Sequence, residues 1–261
     1  MSNKKNHSMR VLVTGSGTGI GKGIALEFAK QGAMLALHYS HSVDGVQDAL
    51  EQIKAKESGK VKAFKADFNN VKEIKSLAKQ VIEYLGGIDV LINNSGITMN
   101  MPLEQTTPEQ FDTLFNVNIR AMFFLTQAVV PTMEKQGKGV IINLSSNHAF
   151  TGLSEHSVYA ATKGALETLT KVLAAELGED KIRVNCVVPG AIFTEINQRA
   201  GIYNDETAKK RLDSMARIHA MGRIGKPHEI AEAVEYLICS EWTTGAVLDV
   251  DGGLGLGITE D

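Results

Sequence analysis

Tyr159 and Lys163 stand four residues apart in the run Tyr159-Ala160-Ala161-Thr162-Lys163. On a helix that spacing stacks two side chains on one face, with about 5–6 Å between their Cβ atoms. A phenol is ordinarily a poor acid or base at neutral pH, and an ammonium held beside it favours the phenolate. Such a pair can pass a proton to or from a reacting oxygen. Ser146 lies thirteen residues before Tyr159, just after the apolar run Val140-Ile141-Ile142-Asn143-Leu144. That run reads as a strand, and open α/β sheets hold their ligands at the carboxyl ends of strands. A serine hydroxyl there, beside an activated tyrosine, can polarise a carbonyl or orient an alcohol. The competing reading is a Tyr and a Lys on an amphipathic helix with no chemistry between them.

A second chemical signal comes earlier. Thr14-Gly15-Ser16-Gly17-Thr18-Gly19-Ile20-Gly21 follows an apolar run and opens a helical pattern. Glycines at 15, 19 and 21 let the backbone turn tightly and approach a pyrophosphate at the positive end of that helix. A glycine-rich turn also serves loops generally, so its place between a first strand and a first helix carries the inference.

The elements that must position these residues alternate along the chain. Strands are expected at Arg10–Thr14, Met34–Tyr39, Lys60–Ala66, Ile88–Asn93, Val140–Ser145, Ile182–Val188 and Ala246–Val250. Helices are expected at Gly19–Gln31, Val43–Glu57, Val71–Leu85, about Pro108 to Glu134, around Tyr159 and Lys163, and at His228–Cys239. Crossover helices between strands imply right-handed βαβ units, hence an α/β, Rossmann-like, doubly wound parallel sheet of seven strands with helices on both faces. We expect one domain over residues 9–257, a flexible tail at 1–8, a substrate lid at about 191–221 and a solvated tail at 258–261. The long helix after Pro108 and the helix bearing Tyr159 carry apolar residues on more than one face, which predicts packing against a second subunit.

Composition excludes several classes. The net charge of −3 comes from 27 basic and 30 acidic residues in short, mixed runs, which suits neither nucleic acid nor an anionic membrane. No stretch reads as a membrane span or signal peptide, and the seven histidines show no metal-ligand spacing, so no metal is expected. Cys186 and Cys239 sit in apolar surroundings and read as buried thiols of a reducing compartment, which places the chain in the cytoplasm.

Thr14-Gly15-x-x-x-Gly19-Ile20-Gly21, Asn93-Asn94-Ser95-Gly96, Asn118, Ser146, Tyr159-x-x-x-Lys163 and Pro189-Gly190-x-x-x-Thr194 come in the order and spacing of the short-chain dehydrogenases/reductases. The resemblance covers about residues 9–253 and rests on six separated motifs. It implies that Tyr159 is the general acid/base, that Lys163 tunes it and holds the nicotinamide ribose, and that Ser146 polarises the carbonyl. Asn118 matches the asparagine that orders a water for a proton relay. Asp67, with Phe68 beside it, looks like the carboxylate that binds the adenine amino group. Asn93, Ser95 and Gly96 would flank the adenine ribose, and Pro189, Gly190, Ile192 and Thr194 the nicotinamide carboxamide. Ser95 departs from the alanine usual there. Asp67 could instead cap a turn, and Asn118 could bend its helix with its amide satisfied locally. The resemblance also implies a homotetramer.

Cofactor choice turns on Tyr39, eighteen residues after Gly21, where NAD-dependent members of the family usually carry an Asp. Tyr39, Ser40, His41 and Ser42 can accommodate a 2′-phosphate, so NADP(H) is favoured over NAD(H), although Thr18 stands where NADP-dependent members often carry arginine. For the substrate, Ser145-Ser146-Asn147-His148 and the run from Pro189 to Asn197 look similar to the family's bacterial glucose 1-dehydrogenases. A small polar, sugar- or polyol-like molecule is the expectation, with Ser146, His148 and Tyr159 against it. The alternatives are a 3-oxoacyl-[acyl-carrier-protein] reductase, against which Ala175 before Glu176 argues because those enzymes tend to be basic there, and a non-catalytic dinucleotide-binding regulator.

Overall fold

The computed structural model describes residues 9–55, 59–192, 210 and 213–256. The expected tails, most of the expected lid and the end of the helix expected to run to Glu57 lie outside the described residues. Strands β1 (Arg10–Val13), β2 (Met34–Tyr39), β3 (Val61–Lys65), β4 (Val90–Asn93), β5 (Gly139–Leu144), β6 (Ile182–Pro189) and β7 (Val247–Val250) form one sheet. Its order is β3-β2-β1-β4-β5-β6-β7, and every pairing is parallel. The central strands are nearly unbroken aliphatic runs because both of their faces are covered. Helices α1 (Gly19–Lys30), α2 (Val43–Lys54) and α7 (Pro227–Cys239) cover one face, where Ile24, Phe28, Leu37, Ile53, Ile230 and Val234 make the core. Helices α3 (Val71–Leu85), α5 (Ala121–Gln136) and α6 (Ser157–Leu177) cover the other, around Phe64, Ile74, Leu77, Leu125 and Ile141. Each such aliphatic or aromatic side chain contributes about 1.5–3 kcal/mol by leaving water.

Sequence order reverses between β1 and β4, so the loops leaving the two strands part to opposite sides and open a crevice there. All seven strands point the same way, which gathers their carboxyl ends at one edge.

Two expected boundaries shift for visible reasons. β4 begins at Val90, because the Gln136 side chain takes both backbone groups of Ile88 (3.1 Å from its N–H, 2.7 Å to its carbonyl). Asp89 is held instead by Arg10, whose guanidinium reaches both carboxylate oxygens at 2.6 and 3.0 Å. The long helix expected after Pro108 forms, but not as one regular α-helix. After α4 (Pro108–Phe115), begun by a Thr107–Gln110 capping box, a π-helical turn at Asn116–Arg120 precedes α5. Such turns insert one residue into the helical ladder and concentrate at functional sites.

The continuous stretch Pro108–Gln136 is long and apolar enough to cross a membrane by length and composition alone, a test that core helices also pass. Its Leu125, Val129 and Met133 are nonetheless fully buried in the core against α3. Phe111, Phe123 and, on α6, Val172 remain exposed. A correction concerns the thiols: Cys186 is buried, with its pKa pushed up to about 12 by burial, whereas Cys239 is exposed.

His38, near the end of β2, is 2% exposed. Its Nε2 lies 3.1 Å from the Ala66 carbonyl and its Nδ1 3.3 Å from the Gly15 N–H, so the ring donates at Nε2 and accepts at Nδ1. It stacks on Phe68 with 4.1 Å between centroids and 6° between planes. Burial pushes its pKa down to about 4. An unfolded histidine titrates near 6.5, so between the two values the unfolded chain binds the extra proton and stability is lost as pH falls. The loss at pH 5 relative to pH 7.5 is about 2 kcal/mol. Urea unfolding of wild type and His38→Asn at both pH values should therefore give a shallower pH dependence in the variant by that amount. Parallel curves would refute the assignment.

Candidate active site

β5 delivers the first reactive group. Ser145 extends its ladder with an N–H to the Val187 carbonyl, and the chain then turns into a 3₁₀ segment at Asn147–Ala149. At that corner the buried Ser146 hydroxyl accepts the His148 N–H (3.3 Å) and lies 3.0 Å from His148 Nδ1 and 3.3 Å from Asn147 Oδ1. α6 delivers the next two. Its buried face runs Val158, Thr162, Leu166, Thr170, Leu173, the three-to-four spacing of a helix laid along a sheet. Tyr159 and Lys163 flank that stripe. Lys163 is 4% exposed, and its Nζ donates to the Leu144 carbonyl at 2.8 Å. The same Nζ is 5.6 Å from the centroid of the Tyr159 ring, and the His148 ring meets that ring edge-on at 5.6 Å. Ser146, Tyr159 and Lys163 are thus gathered at one corner, with His148 touching both the serine and the tyrosine.

Asn118, in the π turn, is fully buried. Its Oδ1 accepts the Ile97 N–H (2.9 Å), and its Nδ2 donates to the Ile97 carbonyl (3.0 Å) and to Thr162 Oγ1 (3.1 Å). The side chain therefore clips the chain leaving β4 onto α6. A Cβ placed on Gly96 would come within 3.4 Å of both Asn118 Oδ1 and Lys163 Nζ, so the backbone passes close over the pair.

The dinucleotide side is built around Thr14. Its hydroxyl accepts the N–H groups of Asn94 (2.9 Å) and Ser95 (3.0 Å) and donates to the Ile92 carbonyl (3.2 Å). Asn94 Nδ2 reaches back to the carbonyls of Thr14 (2.8 Å) and Gly15 (3.2 Å). Gly21 is pressed so close that a Cβ there would lie 2.4 Å from Asn94 Nδ2 and 2.5 Å from the Gly15 carbonyl. Gly15 and Gly19 have φ of 64° and 57°, which other residues rarely adopt. Thr18 begins α1 without capping it by its side chain, and the turn Gly15, Gly17, Thr18, Gly19, Ile20, Gly21 is left around the positive end of the helix. A cradle this tight at an uncapped helix start fits a pyrophosphate.

The expected adenosine residues divide. Tyr39 and Ser40 are half-buried at the end of β2, and Ser95 Oγ lies 3.4 Å from His38 Nδ1. Asp67 is half-buried, and its Oδ1 caps a turn by accepting the Asn69 N–H (2.9 Å). Two expectations change. Phe68 is buried against His38, so it supports the pocket from within. The Asn93 amide is enclosed in the sheet, where it donates to Asn143 Oδ1 (2.9 Å), and the side chain that meets the turn is that of its neighbour Asn94. β6 ends at Pro189, Gly190 follows, and Ile192 is held by a parallel bridge to Gly225. Thr194 lies outside the described residues. Among the described residues, no cluster of His, Cys, Asp and Glu suits a metal.

Sequence reading passed over Thr14 as a clamp and His38, and placed Asn94 and Asn147 without their hydrogen-bonding roles. Their partners are remote in sequence (His38 meets Gly15 and Ala66), and no spacing rule announces them. A cavity of about 1010 Å³ lies elsewhere, at the amino ends of the strands, lined by Val90, Gly139, Ile182, Arg183 and Trp242 among others. It holds none of the gathered groups, and parallel sheets work at the opposite edge.

Comparison with known proteins agrees with this geometry. A family model described as enoyl-(acyl carrier protein) reductase matches residues 15–255. The hydroxynaphthalene reductase-like protein Arp2 of Metarhizium anisopliae is 34% identical over 254 residues, covering 93% of each chain. Versicolorin reductase 1 of Aspergillus parasiticus is 34% identical over 249 residues, covering 93% of this chain and 94% of its own. Among solved structures, levodione reductase superposes with a TM-score of 0.90 at 28% identity, covering 97% of this chain and all of its own (100%). A short-chain dehydrogenase of Burkholderia cenocepacia, in complex with NADP, superposes with a TM-score of 0.85 at 31% identity, covering 96% and 99%. A glycine cradle at an uncapped helix start, and a serine, tyrosine and lysine gathered at one strand end, therefore belong to an oxidoreductase: this chain is a member of the short-chain dehydrogenase/reductase family.

Proposed function

We propose that this chain is an NADP(H)-dependent reductase of a ring ketone, run by Ser146, Tyr159 and Lys163. The observation that carries the reading is their convergence, with the Lys163 side chain buried beside the Tyr159 ring. When bound, the nicotinamide supplies a hydride. The chain's own residues do the rest. Ser146 donates a hydrogen bond to the carbonyl oxygen, and Tyr159 gives that oxygen its proton. Lys163 carries a cation that favours the phenolate left behind, and Asn118 fixes the backbone over it. The turn from Gly15 to Gly21 holds the pyrophosphate; Tyr39, Ser40, Asp67 and Ser95 serve the adenosine; Gly96, Pro189, Gly190, Ile192 and Thr194 serve the nicotinamide half. Residues 9–257 form the domain and about 191–221 its substrate lid.

A ring ketone is supported by the relatives, whose names denote a hydroxylated naphthalene and a dione. It is also supported by Phe150, Leu153, Met221 and Leu256, large apolar side chains exposed on segments that adjoin this corner. The second reading is a small sugar- or polyol-like substrate, favoured by polar Asn147, His148 and His156 on the same wall. Assays at 340 nm with ring ketones, sugars, polyols and 3-oxoacyl thioesters separate them, and turnover of sugars alone would overturn the first. We further propose a cytoplasmic homotetramer that covers Phe111, Phe123 and Val172; a monomer in light scattering would remove the tetramer.

Tyr159→Phe should keep its fold and its affinity for NADPH while turnover falls by a factor of about 10² or more. Lys163→Ala should lower both turnover and cofactor affinity, because that residue has two roles. Rapid turnover by Tyr159→Phe would end this mechanism.

Cofactor preference gives a separate test. No carboxylate stands at position 39 to repel a 2′-phosphate, and Ser40 and His41 can donate to it. Hydrogen bonds to a charged group contribute about 1.5–3 kcal/mol each, so NADP(H) should be preferred at least about tenfold in kcat/KM. Tyr39→Asp should reverse that preference by adding a like charge and a ribose acceptor together. A wild type that prefers NAD(H) would show that Thr18, which lacks a positive charge, decides instead.

A further inference from the structure

Beside the reactive groups stands a side chain to which this mechanism gives no task. His148 is half-buried, with its ring between those of His156 (5.0 Å) and Tyr159 (5.6 Å). Its Nδ1 lies 3.0 Å from Ser146 Oγ and 3.2 Å from Asn147 Oδ1, while its own backbone N–H donates to Ser146 Oγ at 3.3 Å. A hydroxyl has one proton and two acceptor sites, and an amide oxygen only accepts. The proton count at this corner therefore has two solutions. If Nδ1 is bare, it joins Asn147 Oδ1 as a second acceptor competing with an entering carbonyl for the Ser146 proton. If Nδ1 carries the proton, His148 fills the second acceptor site of Ser146 and one of the two on Asn147 Oδ1, so the Ser146 proton has one competing acceptor fewer and can turn to a ligand.

We propose that His148 is a positioning residue of the reduction: its Nδ1–H, donated to Ser146 Oγ and Asn147 Oδ1, turns the Ser146 hydroxyl outward to the substrate carbonyl. Asn147, buried and with its Oδ1 turned to both neighbours, selects this tautomer. Burial and the adjacent His156 push the His148 pKa below the ordinary imidazole value, so the neutral ring, with one proton for two nitrogens, is the form that must be oriented. His156 takes no part in the count, because its Nδ1 is 2.8 Å from the Ser154 carbonyl, to which it donates. The inference rests on the reading of Ser146 as the group that meets the carbonyl.

The test is a double-mutant cycle on the full chain, with NADPH and the fastest ketone of the panel. His148→Phe keeps a ring between His156 and Tyr159 but removes the donor; kcat should fall about tenfold with the KM for NADPH unchanged. His148→Asn, whose amide N–H stands near the Nδ1 position, should recover most of the loss. In a Ser146→Ala background, His148→Phe should cost nothing further, because no hydroxyl is left to orient. His148→Phe within twofold of wild type, His148→Asn as slow as His148→Phe, or an undiminished cost in the Ser146→Ala background would each overturn the proposal. A Ser146→Ala enzyme with wild-type turnover would instead remove the reading beneath it. Should His148→Phe fail to fold, His148→Leu carries the same expectations.

Discussion

A lysine ammonium withdrawn from water is the constraint on which this structure turns. Burying such a group costs several kcal/mol unless it is hydrogen-bonded and its surroundings are arranged for it. Lys163 Nζ finds the Leu144 carbonyl at 2.8 Å, where β5 has just ended. That single bond fixes three things. α6 must lie against β5 in the register that its Val158, Thr162, Leu166 and Thr170 stripe sets. The chain leaving β4 must pass close over the lysine, where a Cβ on Gly96 would stand at van der Waals distance from its Nζ. The long helix after Pro108 must yield at Asn118, whose amide clamps Ile97 and Thr162 to keep that passage in place. A π turn is the local cost, and an open approach to the buried cation is the result.

The cofactor half depends on the sheet in a different way. β1 and β4 are neighbours whose exits diverge, and the Thr14 hydroxyl ties the two exits together with three hydrogen bonds. His38 adds a second tie, from the glycine turn to the end of β3. Both ties are made by uncharged side chains held away from water, so they form without help from an anion. Preorganisation of this kind lowers the entropic cost of binding.

Much of this was legible in the sequence because its signals are periodic or local. Met34–Tyr39 and Val71–Leu85 have the boundaries that their patterns predict. The pairing of Tyr159 with Lys163 follows from spacing on one helix. What was not legible depends on contacts between remote residues. Ile88 reads as strand but is held by Gln136; Asn93 reads as a group flanking the adenine ribose but is enclosed with Asn143, leaving Asn94 at the turn. Cys239 follows an apolar run, yet it closes α7 at the surface. Hydropathy alone could not say that the helical stretch from Pro108 to Gln136 divides its apolar residues between the core and an exposed face. Substrate class was least legible, since a polar wall at Asn147 and His148 and apolar Phe150 and Leu153 lie within one short segment.

The central claim is that a hydride is delivered at the corner formed by Ser146, Tyr159 and Lys163. Isotope transfer tests it most directly. The chain would be incubated with NADPH deuterated at the transferable nicotinamide position, together with a ring ketone, and the alcohol analysed by mass spectrometry and proton NMR. The account predicts one deuterium on the carbinol carbon, of a single facial configuration, and about a hundredth as much or less in a reaction with Tyr159→Phe over the same interval. Oxidation of NADPH without deuterium in the alcohol, or transfer that proceeds equally without the tyrosine hydroxyl, would contradict it.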